Sequence, residues 1–168
     1  MKITIRPGLI DDLSFLREML FEAAYWRPEQ AKPALEVGLA RPDLVNLLAD
    51  WGREGDTALI AVMENDEPVG ATWYRFWGPE QHSYGYVASE IPELAIAVRP
   101  KFRRRGIGHQ LLEAILKIAA SQGIEKISLS VEIENPALEL YLQYGFQSIQ
   151  KNQGDWVMVA QTNCTEKL

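Results

Sequence analysis

The sequence predicts one α/β domain of the α+β kind, with a mixed, largely antiparallel sheet of about seven strands flanked by helices. Short apolar or alternating runs, bounded by Gly, Pro, Asn and Asp, recur along the 168-residue chain and are typical of strands. Longer segments between them repeat apolar residues at helical spacing. Neither an internal repeat nor a linker interrupts the pattern, so we expect residues 1–168 to form a single domain.

Patterns in the first half of the chain predict a strand, a helix, an irregular region and a hairpin. The helix is indicated by the apolar series Leu13, Leu16, Leu20 and Ala24, and it stops near Pro28. The predicted elements are a strand through residues 3–5, the helix from residue 13, a helical turn at 35–39, a short helix at 43–51, and hairpin strands at 57–63 and 69–77.

The second half predicts alternating strands and helices after a polar loop at residues 78–92. Asn135 is suited to cap a short helix that has Pro136 in its first turn and ends at Gly145. The predicted elements are strands at 94–98 and 127–131, helices at 107–119 and 136–144, and a closing hairpin of strands at 146–149 and 156–160.

Composition excludes several classes of function. The formal net charge of −6 disfavours a nucleic-acid-binding surface, which is usually basic across the domain. The single cysteine, Cys164, excludes an internal disulfide and a multi-cysteine metal site, and we expect no metal. No signal-like or membrane-length apolar run occurs, so we expect a cytoplasmic protein without a membrane partner. The glycosylation pattern Asn163-Cys164-Thr165 is then fortuitous.

A basic, glycine-containing turn lies between the 94–98 strand and the 107–119 helix. The first amides of a helix lack internal partners, and the helix dipole adds positive charge there. Glycines let an anion approach those amides closely, so this turn predicts a phosphate-binding cradle. Its cations are Arg99, Lys101, Arg103, Arg104 and Arg105, and its glycines are Gly106 and Gly108.

Two familiar phosphate motifs fit this turn badly. The dinucleotide fingerprint needs a third glycine where this chain has Leu111, and a P-loop needs Lys-Ser/Thr where it has His109-Gln110. Arg-x-x-Gly-x-Gly at residues 103–108 instead resembles the acetyl-CoA-binding motif of the GNAT superfamily of N-acetyltransferases. A second match follows in the expected order, Glu-Asn-Pro-Ala-Leu-Glu-Leu-Tyr at residues 134–141 and then Gly-Phe at 145–146.

The resemblance implies a fold with two splayed central strands, here about 94–99 and 127–132, and acetyl-CoA as co-substrate in the gap. Main-chain groups of the first strand would pair with the pantetheine arm, while the turn would hold the pyrophosphate. The implied cofactor-binding residues are Ile96, Ala97, Val98, Arg103, Arg104, Arg105, Gly106, Ile107, Gly108, His109, Asn135 and Tyr141. Solvent exposure is the alternative for Arg104, Arg105 and His109.

The resemblance also suggests the catalytic groups. Tyr141 would place a phenol near the departing sulfur and protonate it or donate a hydrogen bond. Glu93, at the start of the cofactor strand, is the candidate base for the incoming amine, with Glu90 or a water chain as alternatives. Tyr144 is expected to pack. Several aromatic residues could floor the acceptor pocket or pack in the core, namely Trp26, Trp51, Trp73, Tyr74, Phe76 and Trp77.

The sequence therefore predicts an acetyl-CoA-dependent N-acetyltransferase that acts by direct transfer to an amine of a small molecule or peptide, either as a monomer or as a homodimer. The chain lacks the Gly-x-Ser-x-Gly nucleophile elbow of another common class of acyl-transferring enzymes. The alternative is a CoA-binding sensor or interaction module that keeps the cradle without efficient catalysis.

Overall fold

A seven-stranded sheet runs through the computed structural model, which describes residues 1–163. Cys164 therefore lies outside the described residues. The strands are β1 (Ile3–Pro7), β2 (Thr57–Met63), β3 (Pro68–Arg75), β4 (Glu93–Val98), β5 (Lys126–Glu132), β6 (Gln147–Asn152) and β7 (Asp155–Gln161). Their order in the sheet is β1-β2-β3-β4-β5-β7-β6. The helices are α1 (Leu13–Ala24), α2 (Leu35–Leu39), α3 (Ile107–Ser121) and α4 (Ala137–Gln143).

Neighbouring strands are antiparallel except for β4 and β5, which are parallel. A parallel neighbour requires a crossover, and α3 provides it between these two strands. The mixed, largely antiparallel sheet predicted from the sequence is confirmed. The hairpins β2–β3 and β6–β7 also form where the turn residues predicted them.

Helices cover both faces of the sheet. The apolar stripe of α3, including Ile107, Leu111 and Ile115, is buried in one cluster with residues of β5 and β7. Leu16 and Met19 of α1 are fully buried in a second cluster, on the other face. Each amphipathic helix buries its stripe against one side, so the sheet is the middle layer of three. Within residues 1–163, no helix has both the length and the apolar character needed to cross a membrane.

The prediction of a short helix at residues 43–51 is wrong. This segment contains only a 3-10 turn, Val45–Leu47. The Arg75 Nη1 atom donates hydrogen bonds to the carbonyl oxygens of Asn46 at 2.8 Å and Ala49 at 2.6 Å. In a helix those carbonyls would accept hydrogen bonds from amides of the same helix. The hydrogen bonds from Arg75 take the place of these helical bonds.

A buried ion pair holds this irregular segment against the end of β3. Asp56 accepts two hydrogen bonds from Arg75, at 2.9 and 2.7 Å, and the two side chains are 3% and 1% exposed respectively. Asp56 also accepts from the amides of Gly52 and Arg53. The carboxylate is therefore satisfied on every side, as a buried charge must be.

We expect Asp56→Asn to lower the free energy of unfolding by about 3–5 kcal/mol, because it leaves the Arg75 charge buried without its partner. Urea denaturation measures the change. The matched control is Glu36→Gln, which removes an ion pair of 2.7 Å between Arg17 and an 80% exposed carboxylate. The control should cost less than about 1 kcal/mol. Equal losses in the two variants would contradict the anchoring role of Asp56.

Candidate active site

The site begins where β4 and β5 separate. The two strands share one paired position, Glu93 with Ser128, and the Ser128 amide donates to the Pro92 carbonyl at 2.9 Å. Beyond that point the strands diverge, and a cavity of about 750 Å³ opens between them. The facing edges of both strands therefore present main-chain groups without a strand partner, and an extended ligand can pair with them.

The basic turn forms one end of this cavity. The amides of residues 107–109 begin α3 and have no intrahelical partner, and no side chain caps them, because the N-cap residue is Gly106. Gly106 has φ of +81°, and a Cβ built there would meet no atom within 4 Å. The left-handed backbone favours glycine, and the open space above it leaves room for an anion. The turn therefore leaves open space beside amides that could bind an anion.

Arg103, Arg104 and Arg105 have different environments. Arg103 donates from Nε to the Val98 carbonyl at 3.0 Å and pairs with Glu22 at 3.3 Å, so it braces the turn against β4 and α1. Arg104 is exposed, lines the cavity and has φ of +63°, a left-handed conformation that is uncommon outside glycine. Arg105 is exposed beside the ring of Phe102, and it is not among the residues that line the cavity.

The other sequence-predicted cofactor residues all line the cavity. They are Ile96, Ala97, Val98, Ile107, Gly108, His109, Asn135 and Tyr141. The Asn135 side chain accepts a hydrogen bond from the Ala137 amide at 2.9 Å, which confirms the predicted cap. His109 is an exposed residue, and its carbonyl accepts a hydrogen bond from the Tyr144 hydroxyl at 3.2 Å.

Tyr141 lies in the cavity wall as a buried phenol. It is 7% exposed, and its ring packs edge-on against Phe146 at a centroid distance of 5.7 Å. Burial raises the pKa of Tyr141 above the usual value for a phenol. Among residues 1–163 its hydroxyl has no hydrogen-bond partner. The side chain is thus a neutral donor at physiological pH, and that donor is available to a ligand.

Glu93 is a buried carboxyl group on the same cavity. It is 3% exposed, and within the described residues its Oε1 atom has no hydrogen-bond partner. Burial raises the pKa of Glu93 from 4.5 to about 7, although weak polar contacts with the Gly85 amide, the Ser83 hydroxyl and the Trp77 indole act in the opposite direction. A carboxyl group with this pKa can accept a proton near neutral pH.

Gly85 permits this placement of Glu93. A Cβ at position 85 would lie 2.7 Å from the Glu93 carboxyl carbon, so any larger residue would displace the side chain. The Ser128 hydroxyl donates to the Gly85 carbonyl at 2.7 Å and ties the loop to β5. The polar 78–92 loop, which carries no recognisable motif, is thereby fixed over the start of β4. Glu90, the alternative base, is exposed and outside the cavity lining.

Charged residues that the sequence analysis missed also line the cavity. They are Arg41, Asp43, Glu132 and Asp155. Arg27 and Glu134 line an adjoining hollow that shares Asp43, Glu132 and Asp155 with the cavity. Arg27 follows α1, and Arg41 and Asp43 follow α2. Glu132 ends β5, Glu134 comes just after it, and Asp155 begins β7, so no local spacing links these residues. The charge of each residue is evident from the sequence, but the sequence does not show that these residues line one region of the folded protein.

The aromatic residues considered for the acceptor pocket mostly pack elsewhere. Trp26 is the one member of that set among the cavity-lining residues in the described part of the chain. Trp73, Tyr74 and Trp77 are at most 4% exposed and belong to the core or its edge. Trp51 lies beside the Arg75 guanidinium, with its ring centroid 5.4 Å away.

A family model described as acetyltransferase (GNAT) family matches residues 18–146. An L-methionine sulfoximine/L-methionine sulfone acetyltransferase of Pseudomonas aeruginosa is 32% identical over 110 residues, which are 62% of this chain and 60% of that protein. A mycothiol acetyltransferase of Acidimicrobium ferrooxidans is 34% identical over 145 residues, 85% of this chain and 42% of that protein. The matches thus span from about two fifths to three fifths of these relatives.

Solved structures share the fold at lower identity. The PaiA N-acetyltransferase of Thermoplasma acidophilum in complex with coenzyme A has a TM-score of 0.72 and 22% identity, and the match covers 96% of this chain and 99% of that one. A ribosomal-protein-alanine N-acetyltransferase of Brucella melitensis has a TM-score of 0.67 and 22% identity, covering 94% and 99%.

Proposed function

Because the chain belongs to the acetyltransferase (GNAT) family, we propose that it transfers an acetyl group from acetyl-CoA to a primary amine. One observation carries the proposal: the gap between β4 and β5 joins an anion cradle to two buried proton-handling side chains, Tyr141 and Glu93. Acetyl-CoA would supply an activated thioester at that junction. The residues of the chain would bind it, orient the amine and manage the protons.

Several features of the cavity support acetyl-CoA as its ligand. The open space above Gly106 and the unpartnered amides of residues 107–109 suit a pyrophosphate. Arg104 would add a full charge from the rim, whereas Arg103 would mainly hold the turn in shape. The free edge of β4 at residues 96–98 would pair with an extended arm.

Tyr141 and Glu93 would have complementary roles. The Tyr141 phenol stays protonated, so it would donate a hydrogen bond or a proton to the departing sulfur. The Glu93 carboxylate would accept a proton from the ammonium ion of the acceptor, directly or through water. An alkylamine titrates several units above pH 7, and the raised pKa of Glu93 reduces that mismatch.

We expect Gly106→Val to abolish measurable CoA binding, because the added side chain would fill the open space of the cradle and strain a left-handed backbone. Calorimetric titration with CoA measures the affinity. Gly123→Val is the matched control, since Gly123 also has a positive φ of +77° and open space around it but lies at the far end of α3. Loss of binding in both variants would point to misfolding, and unchanged affinity in Gly106→Val would contradict the cradle.

Tyr141→Phe should lower turnover by roughly two to four powers of ten with little change in CoA affinity, because it removes the hydroxyl and keeps the ring packing. Thiol release from acetyl-CoA over a panel of primary amines measures turnover. Tyr144→Phe is the control, since Tyr144 does not line the cavity and its hydroxyl donates to a main-chain carbonyl, that of His109. Near-normal turnover in Tyr141→Phe would make Tyr141 a packing residue. Binding of CoA without turnover of any amine would favour the sensor function.

Glu93→Gln should remove the acidic limb of the pH profile. In the wild type, kcat/KM is expected to rise with pH through about 7, because the base is active only after Glu93 has lost its proton. The variant cannot take up that proton, so its rate at neutral pH should fall and the limb should disappear. A variant profile that overlays the wild type would exclude Glu93 as the base.

Stability provides an independent check of the same pKa. The unfolded carboxyl group ionises near 4.5 and the folded one near 7, so the folded wild type binds more protons in this interval and loses stability as pH rises through it. Glu93→Gln lacks this loss. Its stability relative to the wild type should therefore increase between pH 4.5 and 7, by an amount on the order of a few kcal/mol.

A further inference from the structure

Glu93, Arg75 and Trp77 meet on the face of the sheet that α1 covers. Glu93 of β4 is directly opposed to Arg75 in the antiparallel pair β3–β4, so both side chains emerge on one face. Trp77 follows Arg75 by two residues and is buried in the cluster of that face, together with Trp73 and Ala97. The sheet register therefore brings the Trp77 indole beside the Glu93 carboxyl group.

Trp77 and Glu93 each contain a buried polar atom without a hydrogen bond. The Trp77 Nε1 and Glu93 Oε1 atoms are closed off from solvent, and within residues 1–163 neither has a hydrogen-bond partner. One atom is a donor and the other is an acceptor. The indole contacts the carboxyl group and acts to lower its pKa, so the two groups are close without the geometry of a hydrogen bond. Each atom is the partner that the other lacks.

Ionisation of Glu93 gives these two atoms a reason to pair. With a pKa of about 7, the carboxyl group is neutral in a large share of the molecules at neutral pH. A hydrogen bond from an N–H group to a carboxylate is shorter and about twice as strong as one to a neutral acceptor. Loss of the proton therefore draws the Trp77 N–H and the Glu93 Oε1 atom together.

Two guanidinium groups lie over the Trp77 ring and make its N–H a better donor. The Cζ atoms of Arg53 and Arg75 are 5.6 and 5.8 Å from the ring centroid. A cation attracts the π electrons of the ring, and this leaves the indole hydrogen more positive. The Asp56 carboxylate holds Arg75 in this position through two hydrogen bonds.

The other hydroxyl group near the Glu93 carboxyl already has an acceptor. The Ser83 hydroxyl approaches the carboxyl group, but it donates to the Asp43 carbonyl at 3.2 Å. The Gly85 amide also approaches, and it belongs to the main chain. Trp77 is therefore the side-chain donor beside Glu93 that has no competing acceptor among the described residues.

Charged or titratable side chains of the neighbouring elements are paired, exposed or distant. They are Arg75 of β3, Asp43 of the segment after α2, Tyr84 of the polar loop and Glu132 of β5. The first two have ion-pair partners, the third is exposed, and the last lies about 13 Å along β5 from the residue paired with Glu93. The face of α1 packed here is apolar. The pKa of Glu93 thus follows from burial and from the nearby donors.

We propose that Trp77 is a positioning residue for the base, because its indole N–H donates a hydrogen bond to the Glu93 carboxylate once the proton has left. The inference rests on the proposed function for the role of Glu93 itself. Within the described chain Trp77 is outside the cavity lining, so it acts through Glu93 and not on a substrate. The contact holds the carboxylate in one orientation and limits the rise of its pKa on burial.

The experiment compares Trp77→Phe with Trp73→Phe. Trp77→Phe removes the indole N–H and keeps an aromatic ring in the core. Trp73 is the matched control, because it is fully buried in the same cluster, its Nε1 also lacks a partner among the described residues, and its opposed residue on β4 is Ala95. Thiol release from acetyl-CoA, with a primary amine that the wild type acetylates, gives kcat/KM across the acidic limb of the pH profile.

Trp77→Phe should move the acidic limb to higher pH by about one unit or more, because the charged form of Glu93 loses a donor. At pH 7, kcat/KM should fall about fivefold or more and recover as the pH is raised. Trp73→Phe should leave the limb in place. A limb that stays in place in Trp77→Phe, or that moves equally in both variants, would overturn the inference, since lost packing alone is not repaired by raising the pH.

Nuclear magnetic resonance tests the contact in the wild type, without a tryptophan variant. The indole N–H signal of Trp77 should move downfield as the pH rises, with the same midpoint as the carboxyl carbon of Glu93, because the hydrogen bond forms when the proton leaves. Glu93→Gln should abolish this movement, and the Trp73 signal in the same spectra is the internal control. A Trp77 signal that does not follow the titration of Glu93 excludes the hydrogen bond.

This titration separates the inference from the proposed function, because it requires neither acetyl-CoA nor an acceptor. If the Trp77 signal follows Glu93 but no amine is acetylated, the hydrogen bond stands and the transferase function fails. If amines are acetylated and the Trp77 signal does not follow Glu93, the transferase function stands and the inference fails.

Discussion

The divergence of β4 from β5 is the constraint on which the rest of the structure depends. These strands are the parallel neighbours in a sheet whose other pairs are antiparallel, and they share the single paired position Glu93–Ser128. A continuous ladder here would close the sheet and leave no cavity. Because the strands separate, two main-chain edges face open space, the N-terminus of α3 lies at one end of the gap, and α4 brings Tyr141 to its wall.

Charge is distributed unevenly along this gap. The basic turn and the carboxylates of Asp43, Glu132 and Asp155 line the same cavity, although the chain as a whole has a net charge of −6. Because β4 and β5 run parallel from the Glu93–Ser128 pair, Glu132 and the turn that follows β4 both lie toward the open side of the gap. Burial keeps Tyr141 neutral and brings the pKa of Glu93 to about 7.

Irregular segments around Asp43 and Ser83 form part of the cavity wall, so their rigidity comes from specific polar contacts. Arg75 and Asp56 fasten residues 46–56 to the end of β3. Ser128 fastens the 78–92 loop to β5, and the Ser83 hydroxyl donates to the Asp43 carbonyl at 3.2 Å. Such contacts can hold a site in place without regular secondary structure, since each one satisfies a buried polar group that would otherwise be costly.

The sequence by itself determined the features that depend on neighbouring residues. Apolar periodicity and turn residues predicted the strands and the long helices, and the spacing of Arg103, Gly106 and Gly108 predicted the cradle. Tertiary structure decided what depends on distant residues. It replaced the predicted helix at 43–51, turned Arg105 away from the cavity and brought Asp43 to Asp155. It also buried Glu93, because the pKa of a carboxyl group follows from the solvent and charges around it, and these are set by segments remote in the chain.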